Sequence, residues 1–73
     1  MKKTYRQLRA DQVRKARTRA GDTIQEAAAR VLISREAWRR YEAGLRHMSE
    51  RLFSDYLLHT RQIKVDAWRS WAK

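Results

Sequence analysis

Apolar residues recur at helical spacing along most of the chain. The clearest face follows an i, i+3, i+4, i+7 pattern and consists of Ile24, Ala27, Ala28 and Val31. Other stripes are Val13, Ala16 and Ala20; Ala37, Trp38 and Tyr41, with Leu45 just beyond; and Leu52, Phe53, Tyr56 and Leu57. Proline is absent, so nothing interrupts these patterns. We therefore predict an all-α, five-helix domain that spans residues 1–73.

Polar residues and the two glycines predict where these helices begin and end. Thr23 and Glu26 have the spacing of a capping box, while Ser34 and Ser49 are expected N-caps. Gly21 and Gly44 stand where left-handed C-terminal caps are expected. The first helix is predicted over about 11–20, the second from Thr23, the third to about residue 43, and the C-terminal helix and tail over 49–73.

The two ends of the chain have weaker patterns. The first ten residues predict either a short helix around Tyr5 and Leu8 or a loose arm. Residues 62–65 alternate weakly, as a short strand would, whereas Asp66 is a candidate cap for a last helical turn with Trp68 and Trp71. These two tryptophans are three residues apart, so they either close the core of the monomer or form a dimer seam.

Composition excludes several classes of protein. With 73 residues and no cysteine, the chain has neither a disulfide scaffold nor a cysteine-based zinc site. A deep catalytic pocket is not expected at this size, and no motif indicates an enzyme. His47 and His59 are twelve residues apart without a third ligand, so we predict no metal and no cofactor. No apolar run approaches the roughly 20 residues of a membrane span, and we predict a cytoplasmic protein without a membrane partner.

Charge points to a polyanionic partner. The formal net charge is +10, from 18 basic and 8 acidic residues. Thirteen of the basic and five of the acidic residues lie within 1–46, so this segment carries +8. We expect the partner to meet the N-terminal two-thirds of the chain.

Residues 23–44 predict a helix-turn-helix. Two short helices would meet at small residues, and the second would bury an apolar face that includes Trp38 and Tyr41. Its polar outer face would enter the major groove of double-stranded DNA at its N-terminal end. Core packing of Trp38 and Tyr41 is favoured over a stacking platform because both share a face with Ala37.

Residues 13–46 resemble the Cro/repressor (XRE-type) helix-turn-helix regulators. Matching positions are Gly21, Thr23, Ala28, Ser34, Tyr41, Glu42 and Gly44. The stretch SREAWRRYEAG looks like small phage- and plasmid-borne members, among them anti-CRISPR-associated repressors. Leu32 replaces the usual turn glycine, and Ile24 replaces the usual glutamine, with Gln25 one place later. The resemblance implies that Glu42 braces the domain through the second helix or an arginine.

The predicted DNA contacts follow from position and side-chain chemistry. Arg35 leads the outer face of the third helix and is the best candidate to read guanine. Of Arg39 and Arg40, one would read bases and the other phosphate. Glu36 either holds Arg40 or Arg35 in place or accepts from a cytosine amino group. Arg46 is a candidate phosphate clamp. The complete set is Thr23, Gln25, Ser34, Arg35, Glu36, Arg39, Arg40 and Arg46.

These features predict a sequence-specific transcriptional repressor or autoregulator. It would bind a palindromic operator as a homodimer, with a candidate seam at Leu57, Leu58, Trp68 and Trp71. The alternative is an antitoxin-type module that binds DNA through the same two helices and a protein partner through its tail.

Overall fold

The computed structural model describes residues 4–63, and the predicted all-α class is confirmed within them. They form four helices and no strand: α1 (Tyr5–Ala20), α2 (Ile24–Arg30), α3 (Arg35–Glu42) and α4 (Glu50–His59). Helix α3 packs against both α1 and α2, and α2 also contacts α4. The predicted fifth helix or short strand in the tail falls mostly outside the described residues. Within these residues, no helix combines the length and the apolar character that crossing a bilayer requires.

The first helix begins earlier than the sequence predicted. It starts at Tyr5 rather than near residue 11, so residues 5–10 are neither a separate helix nor an arm. Thr4 caps it: its hydroxyl accepts from the Gln7 N–H, and the Gln7 side chain accepts from the Thr4 N–H. The apolar pattern does not extend to this turn because Tyr5 is 75% exposed, and the first buried residues of α1 are Arg9, whose guanidinium stacks on Phe53, and Ala10.

The predicted caps of the remaining helices are confirmed. Thr23 and Glu26 form the reciprocal capping box: the Glu26 N–H donates to Thr23 Oγ1 at 3.1 Å, and the Thr23 N–H donates to Glu26 Oε1 at 2.8 Å. The hydroxyls of Ser34 and Ser49 accept from the N–H groups of Ala37 and Leu52. Gly21 and Gly44 adopt left-handed backbone conformations, with φ of 75° and 76°. Local sequence therefore determines most helix ends in this chain.

The turn between α2 and α3 closes without glycine. Leu32 takes the left-handed conformation (φ 59°), and the following Ile33 N–H donates to the carbonyl of Ala28 at 3.1 Å. This is the backbone arrangement that glycine usually allows at a helix C-terminus. The Leu32 side chain is 92% exposed, so it gains little burial to offset the strain of its Cβ.

The core is built around two aromatic rings. Trp38 and Tyr56 are fully buried, and their ring centroids lie 4.8 Å apart. The other buried hydrophobic residues are Ala10, Val13, Ala16, Ala27, Ala28 and Met48. Ala27 and Ala28 are small, as predicted for a close helix crossing. Leu45, placed just beyond the apolar face of α3 by the sequence, follows the left-handed Gly44 and is 61% exposed.

A buried carboxylate on α3 holds α1 against it. Glu42 accepts two hydrogen bonds from the Arg17 guanidinium, through Nε and Nη2, and one from Trp38 Nε1 at 2.6 Å. The resemblance implied that this glutamate braces the domain through the second helix or an arginine, and it does so through Arg17 of α1. The Glu42 hydrogen bond raises the pKa of Arg17. The ion pair therefore joins the end of α3 to the last turn of α1.

A second buried carboxylate ties α2 to α4. Asp22 accepts two hydrogen bonds from Arg30, at 2.6 and 3.0 Å, and one from the Tyr56 hydroxyl at 2.9 Å. The Arg30 hydrogen bonds hold the pKa of Asp22 below its usual value. Burial, together with the bond to Asp22, raises the pKa of the Tyr56 phenol well above 10. Arg17 also donates to the Asp22 carbonyl, so it contacts both carboxylate sites.

The left-handed Leu32 predicts a stabilising substitution. Leu32→Gly should raise the free energy of unfolding by about 0.5–1 kcal/mol, because glycine adopts this conformation without a Cβ clash. Leu32→Ala is the matched control, since it removes the exposed side chain but keeps the Cβ. Denaturant unfolding of both variants measures the effect. An equal gain in Leu32→Ala would show that backbone strain is not the cause.

The Tyr56 hydroxyl predicts a stability loss in base. A phenol whose pKa rises on folding contributes stability that is complete below its unfolded pKa of about 10 and is lost as pH rises through its folded pKa. At pH 7, Tyr56→Phe should therefore cost about 1.5 kcal/mol, a difference that should shrink above pH 10. Unfolding measured from pH 7 to 12 tests this, with Tyr5→Phe as the exposed control. A constant difference across that range would contradict it.

Candidate nucleic-acid interface

An open groove lies where the start of α2 faces the start of α3. Its lining residues are Arg17, Thr23, Ile24, Gln25 and Arg35. Three of the predicted DNA contacts, Thr23, Gln25 and Arg35, thus come from two different elements and lie beside one another. Arg17 lines this groove, and its guanidinium pairs with Glu42, the contact that holds α1 against α3.

The capping hydroxyls at the two helix starts keep a free hydrogen. Thr23 Oγ1 and Ser34 Oγ each accept from a backbone N–H, which uses an acceptor site only. Each hydroxyl can still donate its own hydrogen outwards. Both residues are exposed. They can therefore cap their helices and donate to a phosphate oxygen at the same time.

Ile24 and Gln25, the positions at which this sequence departs from the usual threonine–glutamine pair, differ in exposure. Ile24 is half-buried and packs against the core, whereas Gln25 is exposed and faces the groove. The amide of Gln25 is therefore the polar side chain presented at this point of α2. An amide can both donate and accept, so it can bind either phosphate or a base edge.

Helix α3 carries buried residues on the face toward the core and exposed residues on its outer face. Trp38 and Glu42 are buried on the inner face. The outer face carries four exposed charged residues: Arg35, Glu36, Arg39 and Arg40. At about 100° per residue, Glu36 lies near the centre of the exposed arc, with Arg35 and Arg39 to one side and Arg40 to the other. The predicted assignment of Trp38 to the core is confirmed.

The acidic residue on this face is paired with two arginines. Arg39 donates from Nε to Glu36 Oε2 at 3.0 Å and from Nη2 to Oε1 at 2.6 Å. Arg40 Nε lies 3.5 Å from Oε1. The Arg39 hydrogen bonds lower the pKa of Glu36, and the same contact raises the pKa of Arg39. Glu36 is therefore ionised at neutral pH.

Arg35 differs from its neighbours on α3. Its guanidinium forms no hydrogen bond or ion pair with any residue between 4 and 63. It is exposed at the first turn of the helix, at the edge of the groove. All five of its N–H donors are available to a ligand.

Arg46 lies at the opposite end of α3. Eight residues of helix extend about 12 Å, and Gly44 ends the helix before Arg46 follows in the loop. Nearby, residues 43–45 line a second open surface together with residues 4–7 at the start of α1. Arg46 is exposed in this loop and is not among the residues that line the groove with Thr23, Gln25 and Arg35.

Sequence reasoning missed the hydrogen-bonded residues that hold the helices of the interface together. Arg17 was counted with the other basic residues of the first helix, and Asp22, Arg30 and Tyr56 were not connected. One signal was available: a tyrosine on a predicted core face needs a hydrogen-bond partner for its hydroxyl. This requirement indicates a buried acceptor but does not select Asp22.

Some of the remaining predicted residues lie outside the part of the chain that the structure describes. Leu57 packs against the core of its own chain and Leu58 is half-buried. The other two residues of the predicted seam, Trp68 and Trp71, lie outside the described residues. His47 and His59 are exposed, and His47 contacts the Tyr5 ring edge-on at 5.2 Å. Within residues 4–63, no group of three potential ligands could hold a metal ion.

Comparisons with known proteins add no relative. No protein-family model, curated protein or solved structure matches the chain.

Proposed function

We propose that this protein is a sequence-specific repressor or autoregulator that binds double-stranded DNA through α2 and α3, acting as a helix-turn-helix. The observation that carries this proposal is the outer face of α3, which carries three exposed arginines, the first of which, Arg35, lines one groove with Thr23 and Gln25. The sequence resemblance to Cro/repressor regulators supports the same function. DNA occupancy at a promoter would block polymerase sterically.

The dimensions of α3 suit the major groove. With its side chains an α-helix is about 10–12 Å across, and the major groove is about 12 Å wide. The buried Trp38 and Glu42 keep the inner face on the protein, so the arginine-bearing face is the one free to enter. Arg35, at the start of α3, is then placed to read a base edge, in the manner of recognition helices.

Electrostatics supports a duplex partner. The segment 1–46, which contains α2 and α3, carries a net charge of +8. Arginine and lysine contacts to phosphates supply much of the affinity of DNA-binding proteins, while contacts to base edges choose the site. In this arrangement Arg46, in the loop after α3, is a phosphate contact and Arg35 a base contact.

Two copies are needed for a useful readout. One short helix presents few side chains to base edges, which specify too few base pairs to mark one genomic site. A symmetric homodimer on a palindrome doubles the readout and places two half-sites about one helical turn apart. Leu58, half-buried on α4, belongs to the candidate seam. Sedimentation of the protein with and without its selected duplex tests this stoichiometry.

We predict duplex binding with a steep salt dependence. If each chain neutralises about 3–5 phosphates, log K of a dimer should fall with log salt with a slope of roughly −5 to −9. Selection from random duplexes followed by binding titrations at several salt concentrations measures both sequence preference and slope. A flat salt response, or equal affinity for RNA and duplex DNA, would overturn the proposed function.

Two arginine variants should separate base reading from phosphate binding. Arg35→Ala should lose about 1–3 kcal/mol of discrimination per half-site at one base pair, because it removes a bidentate guanine contact. Arg46→Ala removes the same charge but should weaken all sequences alike and shallow the salt slope by about one per chain. Both variants should unfold thermally like the wild type. Unchanged sequence preference in Arg35→Ala would argue against its assigned contact.

A further inference from the structure

We propose that Glu36 is a specificity-determining residue that acts through Arg39: it fixes the Arg39 guanidinium so that one edge of that group reads a guanine. This inference rests on the proposed DNA-binding function and deepens it. It chooses between the two interpretations that the sequence left open for Glu36, positioning of arginines or direct contact with a base.

The pairing geometry leaves the reading edge of Arg39 open. Glu36 takes the Nε–H and one Nη2–H of Arg39, in two parallel hydrogen bonds of 3.0 and 2.6 Å. Both hydrogens of Nη1 and the second hydrogen of Nη2 remain unused. One hydrogen from each of these nitrogens forms the edge that pairs with guanine O6 and N7. Glu36 therefore occupies the Nε/Nη2 edge of the guanidinium and leaves the adjacent Nη1/Nη2 edge for a base.

The position of Glu36 on α3 and its two hydrogen bonds restrict the orientation of the Arg39 guanidinium. The carboxylate lies near the centre of the exposed arc of α3, and both Glu36 and Arg39 are about half-exposed. Two hydrogen bonds fix the plane of the guanidinium, whereas a single bond would let it rotate. An arginine held in this way loses less conformational freedom when it binds a base.

A structural purpose explains this carboxylate poorly. Exposed ion pairs contribute little to stability because water and salt screen them. Near a phosphate backbone a carboxylate is repelled, so Glu36 lowers affinity for DNA of any sequence. Nε of a second arginine, Arg40, lies 3.5 Å from Glu36 Oε1, so one carboxylate is shared between two guanidinium groups. The carboxylate thus reduces non-specific attraction while it positions Arg39.

The test compares two variants that make the same charge change. Glu36→Gln and Glu26→Gln each remove one negative charge per chain, and both side chains are exposed. Glu26→Gln preserves the capping box, because the amide oxygen can still accept from the Thr23 N–H. The measurement is the ratio of affinities for the duplex selected by wild type and for the same duplex with its site scrambled, at fixed salt.

Glu36→Gln should bind the scrambled duplex more tightly and lose about tenfold or more of the specificity ratio. The loss should concentrate at the one base pair that Arg39→Lys also relaxes, because lysine keeps the charge but lacks the fork. Glu26→Gln should leave the ratio unchanged. In an Arg39→Ala background, Glu36→Gln should cause no further loss of the ratio.

Three outcomes would overturn the proposal. One is an equal ratio for Glu36→Gln and Glu26→Gln. Another is relaxation by Glu36→Gln at a base pair that Arg39→Lys leaves intact, which would indicate direct contact between Glu36 and a base. The third is an additive loss in the Arg39→Ala background. A wild-type protein that prefers no duplex would instead refute the proposed function, so the two failures are distinguishable.

Discussion

The ion pair between Arg17 and Glu42 is the interaction on which the placement of α3 depends. It is formed by one residue from the last turn of α1 and one from the last turn of α3, and Trp38 donates to the same carboxylate. Glu42 is buried and its other basic neighbour, Arg14, lies 4.0 Å from it, so loss of Arg17 would remove its closest ionic partner; breaking a buried ion pair typically costs about 3–5 kcal/mol. Because Trp38 is fixed on the inner face by the same contact, the outer face of α3 is fixed as well.

Arg17 also connects this contact to the second buried carboxylate. It donates to the Asp22 carbonyl, and the Asp22 side chain accepts from Arg30 of α2 and Tyr56 of α4. The ring of Tyr56 in turn packs on Trp38. All four helices are therefore joined through two carboxylates, which substitute directional hydrogen bonds for the large apolar core that so short a chain cannot build. Arg17 connects this network to the groove beside Arg35, because its side chain also lines that groove.

Six arginines of this chain fall into two kinds that composition does not distinguish. Arg9, Arg17 and Arg30 each pair with a carboxylate that lies on another part of the fold. Arg35, by contrast, has no partner within the described residues, and Arg39 and Arg40 pair only with their helical neighbour Glu36. The first kind holds the helices together, and the second faces outwards. The charge available to a polyanion is consequently smaller than the net charge suggests.

Local sequence determined the helix class, most helix ends and the buried face of α3. Capping depends on residues within one turn of each other, so Thr23, Ser34, Ser49 and Gly44 could be assigned from spacing alone. The start of α1 was not predicted, since the first buried residue of that helix is an arginine, Arg9. Thr23, Gln25 and Arg35 were selected as DNA contacts by position, but their shared groove depends on how α2 crosses α3. Only the tertiary structure decided which arginines pair across the fold, because pairs such as Arg17 with Glu42 join residues 25 positions apart, and side chains that distant have no periodicity to reveal them.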